Sequence, residues 1–221
     1  MKKRITLLLF AGFILLLNAR AQDSPGSYLF YDFLDGTATT KTGNTLQSKF
    51  NYNFETEKIT FVGEDKIILA LTNPERLSHI DINGRRFVQG EKEAFYEKIE
   101  ITGGEYYIRW KSNNNLQGAH VGYGFYSPST STKNVTPILD SSHLPVAEAK
   151  EEHEHRIKEE LQPMYYIKSN DKFVRITSPK ALTKIYKSQK TEIEQFAKEN
   201  KINFKQQGDI ARMLEYVYSL E

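Results

Sequence analysis

One short stretch of the chain decides its fold. Residues 80–88 read IDINGRRFV, with Asn83-Gly84 between two runs in which apolar and polar residues alternate. Both central residues of a type I′ turn need a positive φ, which asparagine and glycine tolerate well. Alternation places Ile80 and Ile82 on the buried face of the first strand and Asp81 on the opposite face. The stretch therefore predicts a tight antiparallel β-hairpin.

The same kind of signal recurs on both sides of this hairpin. Throughout residues 22–111, segments rich in aromatic and β-branched residues are separated by turn residues such as Gly43-Asn44 and Gly103-Gly104. Consecutive strands with short connections usually pair with each other. Residues 22–111 are therefore predicted to form an antiparallel β-meander.

A second ordered region is predicted at residues 162–221. Residues 164–168 and 173–176 read as two strands joined by the turn Ser169-Asn170-Asp171, which indicates a second hairpin. Sequence spacing leaves open whether this hairpin joins the first sheet, so the two regions either form separate units or share one domain.

Short helices follow the second hairpin. Ser178-Pro179 is typical of an N-cap followed by proline at the first helical position. A second helix is predicted at residues 190–199 with Asn200 at its end, and Asp209 is the predicted cap of the last helix. The last helix carries apolar residues at a helical period: Ile210, Met213, Leu214, Val217 and Leu220. The fold class is therefore predicted as α+β, an N-terminal antiparallel β-meander followed by a β-hairpin and short C-terminal helices.

The segment between the two regions, residues 112–161, has a different composition. Its first part is rich in serine, glycine, asparagine and threonine, and its second part is dominated by glutamate, lysine and histidine. The first part predicts a flexible linker or loop. The second has too few apolar positions for a wide buried stripe, so it is either an exposed helix or a linker without stable structure.

The N-terminus predicts export. Residues 1–21 combine a basic start, an apolar stretch and the cleavage signal Ala19-Arg20-Ala21, as a secretory signal peptide does. The alternative, an uncleaved anchor, needs roughly 20 apolar residues, and the apolar stretch here is shorter. No cysteine is present for a lipid anchor, for disulfides or for thiol chemistry. The expected location is periplasmic or extracellular, with no membrane span after signal cleavage.

The charge balance argues against nucleic-acid binding. Residues 1–21 hold four of the 30 basic residues and no acidic residue, so the remainder carries 26 basic and 28 acidic groups. The remainder therefore lacks the basic excess that nucleic-acid binding relies on. With 39% hydrophobic residues the chain is not compositionally disordered as a whole.

Aromatic residues are the first candidate for ligand binding. Tyrosine, phenylalanine and tryptophan are frequent in the β region, and alternation sends one set of them to the open face of a sheet. Exposed tyrosine and tryptophan rings stack on sugars or contact peptides. We single out Tyr31, Tyr107 and Trp110 as predicted ligand-binding residues, against the alternative that strand packing explains them.

Two histidines are the candidate for metal binding. His153 and His155 lie in the cluster Glu151-Glu152-His153-Glu154-His155, and imidazole and carboxylate groups are both transition-metal ligands. Residues two apart point to different sides of a helix, so the two histidines can share a metal only if the segment is extended. The alternative is a solvated charged linker.

No catalytic residue is assigned. No serine stands in a Gly-x-Ser-x-Gly motif, and no histidine is marked by its context as a base. Asp81-Ile82-Asn83-Gly84 resembles the start of a calcium loop, but turn formation explains it better. No cofactor is predicted.

The β-meander carrying residues 66–75 and 82–87, with the closing pattern at 193–204 and 209–220, resembles small exported envelope proteins of Gram-negative bacteria, mostly of unknown function. The resemblance implies a secreted fold and no particular chemistry. Together these observations favour a non-catalytic secreted or periplasmic binding module whose partner is an envelope protein or glycan. The alternative is a metal-dependent or Ser-type hydrolase acting on envelope material. The oligomeric state leaves no local signature.

Overall fold

The computed structural model describes residues 27–71, 73–112, 120–121, 125–126 and 146–221. The predicted signal peptide at residues 1–21 and most of the Ser/Gly-rich segment lie outside the described residues. None of the helices within the described ranges is both long and apolar enough to cross a membrane.

Twelve strands account for most of the described β structure. Their bounds are β1 Leu34–Thr40, β2 Thr45–Asn53, β3 Lys58–Val62, β4 Ile68–Ala70, β5 Leu77–Ile82, β6 Arg85–Gln89, β7 Phe95–Ile101, β8 Gly104–Ser112, β9 His120–Val121, β10 Phe125–Tyr126, β11 Leu161–Ser169 and β12 Lys172–Arg175. Ten of them form one antiparallel sheet in the order β12-β11-β8-β7-β6-β5-β1-β2-β3-β4, and β9 pairs with β10 alone.

Among the described residues, α-helices follow the β-meander, and short 3₁₀ turns also occur within it. The α-helices are α1 Val146–Glu160, α2 Pro179–Thr183, α3 Lys190–Glu199 and α4 Gln207–Ser219. The 3₁₀ turns span Glu64–Lys66, Pro74–Arg76 and Lys187–Gln189. The predicted α+β class, a β-meander followed by a hairpin and C-terminal helices, is confirmed.

The predicted hairpin between β5 and β6 is present. Ile80 pairs with Phe87 and Ile82 with Arg85, so the loop contains only Asn83 and Gly84. Both loop residues have positive φ, 47° and 79°, as a type I′ turn requires. Ile80 and Ile82 are fully buried, so the turn chemistry and the alternation agree on one register.

The second hairpin joins the first sheet. Strand β11 pairs antiparallel with β8 along six residue pairs, from Leu161 opposite Ser112 to Tyr166 opposite Tyr107. Strand β12 then forms the sheet edge. The question that sequence spacing left open is thereby answered, because the two ordered regions share one continuous sheet.

The sheet coils strongly around its inner face. Although β7, β6, β5 and β1 lie between β2 and β8 in the sheet, the hydroxyl of Tyr52 on β2 donates to the carbonyl of Trp110 on β8 at 2.9 Å. An ion pair of Glu57 with Arg109 joins the β2–β3 turn to the same strand. The space enclosed by this coil is filled by an apolar core that includes the fully buried Phe50 and Phe87.

A second core lies under the C-terminal helices. Helix α4 buries one side against β8 and β11, with four of its residues fully inaccessible: Ile210, Met213, Leu214 and Val217. Its Tyr218 hydroxyl donates to the carbonyl of Glu105 at 2.8 Å. A Cβ at Gly104 would come within 2.6 Å of the Tyr218 ring, so glycine allows the helix to approach the β7–β8 turn this closely.

The charged segment before β11 is a helix. Of the two alternatives for this part of the predicted linker, α1 corresponds to the helical one. Ala149 is buried and Ile157 packs against the first core, while most of the charged side chains stay exposed. Helix α1 is therefore attached to the sheet by a narrow apolar contact.

Candidate functional site

The outer face of the sheet, opposite the first core, carries an open cavity of about 790 Å³. We call it the outer groove, and it crosses the neighbouring strands β5, β1 and β2. Its lining residues are Asp35, Gly36, Thr37, Gln47, Ser48, Lys49, Val62, Asp81, Asn83 and Gly84. Seven of the ten lining residues are polar or charged, although apolar atoms make up the larger part of the exposed lining surface.

Strand register brings the lining side chains together. Thr37 on β1 stands directly opposite Gln47 on β2 and opposite Asp81 on β5. Asp35, two residues before Thr37, stands opposite Lys49. Because side chains two residues apart share a face, these groups form a grid on rigid, paired strands.

A β-bulge shapes the rim of the groove. Thr39 pairs with His79 and Thr40 pairs with Leu77, so Ser78 is an extra residue on β5. Bulges locally twist a strand and re-aim its side chains. Here the Ser78 Oγ lies 3.1 Å from His79 Nδ1, and His79 Nε2 lies 3.4 Å from Asp81 Oδ2. A hydroxyl, an imidazole and a carboxylate therefore form a connected chain at the rim.

The charged groups of the groove are paired. Arg86 donates through Nε and Nη2 to the two oxygens of Asp81 at 2.8 and 3.0 Å. This hydrogen bonding holds the pKa of Asp81 below its usual value, against a smaller opposing effect of burial. Lys49 lies 3.4 Å from Asp35. Each carboxylate of the groove thus has a cationic partner.

Three of the uncharged polar side chains in the described lining are unpaired, whereas the Ser48 hydroxyl donates to the carbonyl of Val62 at 2.7 Å. Among the described residues, no side-chain hydrogen-bond partner is found for Thr37, Gln47 or Asn83. Gln47 and Asn83 are exposed and Thr37 is half-buried. The centre of the groove therefore offers one hydroxyl and two amides, all with free donors and acceptors.

The three predicted aromatic residues lie on different surfaces. Tyr31, in the segment before β1, is 38% exposed, and its ring meets the edge of His153 at 5.7 Å between centroids. Tyr107 is on the outer face but only 5% exposed. Trp110 is half-buried on the inner face, where its Nε1 donates to Glu97 at 2.7 Å. They share no surface, and ligand binding by them stays a prediction.

Tyr107 belongs to an outer aromatic cluster, which we define as Tyr96, Tyr107, Tyr166 and Phe173. The hydroxyl of Tyr107 donates to the carboxylate of Glu105. Burial, together with this hydrogen bond, raises the pKa of Tyr107. Tyr107 is therefore an anchored, protonated donor inside a packed cluster.

The two predicted metal-ligating histidines lie on α1. A helix is the conformation in which residues two apart point to different sides, so His153 and His155 do not converge on one ion. His153 Nδ1 lies 3.1 Å from Nη2 of Arg156, and burial followed by the Arg156 charge lowers the pKa of His153. Across the described ranges, no group of three or more histidine, cysteine, aspartate or glutamate residues is arranged to hold a metal.

A buried charge cluster lies near Trp110 on the inner face. Glu97 is 4% exposed and accepts hydrogen bonds from Arg85 Nε and Nη2, both at 2.6 Å, in addition to the indole bond. The Arg85 guanidinium also lies over the Phe30 ring at 5.0 Å. Three hydrogen bonds from two neighbouring side chains hold the buried carboxylate in place, so we assign this cluster to stability.

Sequence reasoning missed the outer groove. The alternation Asp35, Thr37, Thr39 along β1 was visible, and it places these polar residues on one face. Their partners on β2 and β5 depend on pairing that no local motif reveals.

Comparisons with protein-family models, with curated proteins and with solved structures found no match to this chain. The resemblance to exported envelope proteins therefore stays a prediction.

Proposed function

We propose that the protein is a non-catalytic binding module of the cell envelope, exported to the periplasm or beyond, and that the outer groove is its binding surface. One observation carries the proposal. Unpaired hydrogen-bonding groups stand in a grid on central strands of a ten-stranded sheet. Groups held on paired strands lose little conformational entropy when they bind, so such a surface is pre-organised for a ligand.

The fixed charges support the same reading. Asp81 is held by two hydrogen bonds from Arg86, so its position and ionisation do not depend on a ligand. The predicted signal peptide and the tyrosine-rich sheet are the reasons for placing this surface in the envelope.

The test compares two double variants of the full exported protein. Thr37→Val with Gln47→Leu removes hydrogen-bonding groups from the groove. Thr39→Val with Thr45→Val changes the same two strands outside it. Binding to separated glycan and protein fractions of the envelope is measured by biolayer interferometry. We expect the groove variant alone to lose binding, and equal binding by both variants would contradict the proposal.

A Ser-type hydrolase is the second candidate, favoured by the Ser78–His79–Asp81 chain. In that reaction Ser78 Oγ adds to an ester carbonyl while His79 takes its proton. His79 then returns the proton to the departing alcohol, and water releases the acyl group from Ser78. This candidate ranks second because Arg86 already binds both oxygens of Asp81, which weakens the support that the carboxylate gives to an imidazolium.

A fluorophosphonate probe separates the two candidates. A hydrolase is expected to label at Ser78, and His79→Ala should abolish the labelling. A binding module is expected to show no labelling above that of the Ser78→Ala variant.

A further inference from the structure

We infer that the ligand of the outer groove is a neutral, hydroxyl-rich glycan chain; this inference rests on the proposed binding function. The reasons are the paired backbone under the groove, the scarcity of large apolar side chains in its lining, its balanced charge and the chemistry of its free side chains.

The backbone under the groove is already used. Strand β1 pairs with β2 and β5, β2 pairs also with β3, and β5 pairs also with β6. A peptide that adds to a sheet needs an unpaired strand edge. No such edge lies beneath the groove among the described strands, so a ligand there must be bound by side chains.

The lining offers little to a protein partner. Among the residues that the structure describes, Val62 is the only large apolar residue in the lining, and no aromatic residue lines it. Protein interfaces are centred on apolar or aromatic anchors that fill pockets, and they gain much of their affinity there. A glycan that binds here is therefore held through hydrogen bonds to its hydroxyl groups and not through stacking on an aromatic ring.

The groove has no excess of either charge. Asp81 is balanced by Arg86 and Asp35 by Lys49. The Asp35–Lys49 pair is largely exposed, with side-chain exposures of 91% and 57%, so solvent screens it. An anionic ligand would meet both carboxylates, whereas a neutral ligand meets no uncompensated charge.

The free groups match sugar hydroxyls. Each hydroxyl of a sugar both donates and accepts, and so do the Thr37 hydroxyl and the amides of Gln47 and Asn83. Neighbouring strands lie about 4.8 Å apart. Gln47 and Asp81, on either side of Thr37, are therefore spaced to contact successive positions of one extended ligand. Asp35 adds acceptors at the end of the same grid.

The experiment is an amide-resolved NMR titration of the full exported protein. The probes are short neutral oligosaccharides of glucose, mannose and N-acetylglucosamine, an acidic oligomer of galacturonic acid, and an extended peptide of mixed sequence. We expect a neutral oligosaccharide to shift residues 35–37, 47–49 and 81–84 saturably. Thr37→Val and Gln47→Leu should each lower the affinity for this oligosaccharide about threefold to tenfold, as loss of one hydrogen bond does. The Thr39→Val control should bind as the unmodified protein does.

The outcomes separate the two proposals. If only the acidic oligomer or the peptide binds in the groove, the glycan inference is overturned and the binding module stands. If no probe shifts the groove and no envelope fraction distinguishes the groove variant, both are overturned. Binding of a neutral oligosaccharide elsewhere on the protein also overturns the inference.

Discussion

The outer face of the sheet has a polar half over β5, β1 and β2 and an aromatic half over β7, β8 and β11. Both halves consist of paired antiparallel strands, and they differ in the side chains that these strands carry. Over β5, β1 and β2, the Thr37 and Gln47 side chains have no hydrogen-bond partner among the described residues. The Asn51 amide near the end of β2 is instead bound by the backbone of the segment before β1. Over β7, β8 and β11, the outer aromatic cluster closes on itself, with the Tyr96 ring 5.0 Å from Tyr166 and 4.8 Å from Phe173. The side chains of the aromatic half are occupied in packing against each other. The side chains that are free to bind a ligand therefore lie in the polar half.

The largest effect is expected where the aromatic half is broken. Tyr96 is fully buried, and Tyr96→Ala removes the ring that contacts both Tyr166 and Phe173. We expect a loss of about 3–5 kcal/mol in the free energy of unfolding, as for other large-to-small core changes. Urea denaturation measures it, and a loss below about 1 kcal/mol would show that the cluster is only a surface feature.

The next effect concerns the ion pair that ties the β2–β3 turn to the aromatic half. Glu57 binds Arg109, whose guanidinium also lies over the Tyr96 ring at 5.8 Å. Glu57→Gln leaves a half-buried cation without its carboxylate, and we expect a cost of about 3 kcal/mol. Glu55→Gln, an exposed neighbour, is the control, and equal losses in the two variants would remove any special role of Glu57.

A smaller effect tests how tightly the aromatic half is closed. A Cβ at Gly90 would lie 2.4 Å from the Tyr96 ring. Gly90→Ala therefore overpacks the cluster, at a cost of about 1–3 kcal/mol. Gly208→Ala, where a Cβ meets nothing within 4 Å, serves as the control by the same urea experiment. A neutral Gly90→Ala would mean that Tyr96 moves aside freely.

The polar half responds to acid through Asp81. Because Arg86 lowers the pKa of Asp81 from 3.8, the folded state binds this proton more weakly than the unfolded state. The stabilisation is therefore present above about pH 4 and is lost as the pH falls through the lowered value. Its size is below about 1 kcal/mol since the pair is exposed. The free energy of unfolding is measured at neutral pH and near pH 3, and the change between the two should be smaller for Asp81→Asn than for the unmodified protein. An equal change in the two proteins would contradict a stabilising Asp81–Arg86 pair.

The smallest effect is expected at the groove itself. Thr37→Val with Gln47→Leu removes groups that have no partner among the described residues. We expect the free energy of unfolding to change by less than about 0.5 kcal/mol, as is usual for surface substitutions. A large loss in thermal or urea unfolding would mean that these groups hold the fold together, and the contrast between the halves would disappear.

Local chemistry could predict much of the fold. The β5–β6 hairpin follows from Asn83-Gly84 and alternation, and helix α3 occupies the predicted residues 190–199. The last helix begins at Gln207, two residues before its predicted cap Asp209, whose carboxylate instead accepts the backbone N–H of Asn203 at 2.9 Å. The cap prediction fails here because the Asp209 carboxylate is engaged by the turn before the helix, and no side chain caps the helix start.

Long-range pairing could not be predicted. Strand β11 has no sequence signal that names β8 as its partner, and the grid around Thr37 needs the non-local pairing of β1 with β5. The placement of two predicted ligand-binding residues was foreseeable, since Tyr107 and Trp110 are three residues apart on one strand and alternation alone sends them to opposite faces. Two residues of one strand share a face only if they are separated by an even number of positions.

The pairing of β8 with β11 also sets an order in which the molecule can assemble. Among strands β1 to β8, every pairing except that of β1 with β5 joins strands that are consecutive in the sequence. By contrast, β8 ends at Ser112 and its partner β11 begins only at Leu161. Pairing two strands so far apart in the sequence costs entropy before any contact compensates for it, so we expect the β8–β11 ladder and the helical core to form last. Two separately produced pieces, divided inside residues 113–145, should therefore reassociate along this ladder.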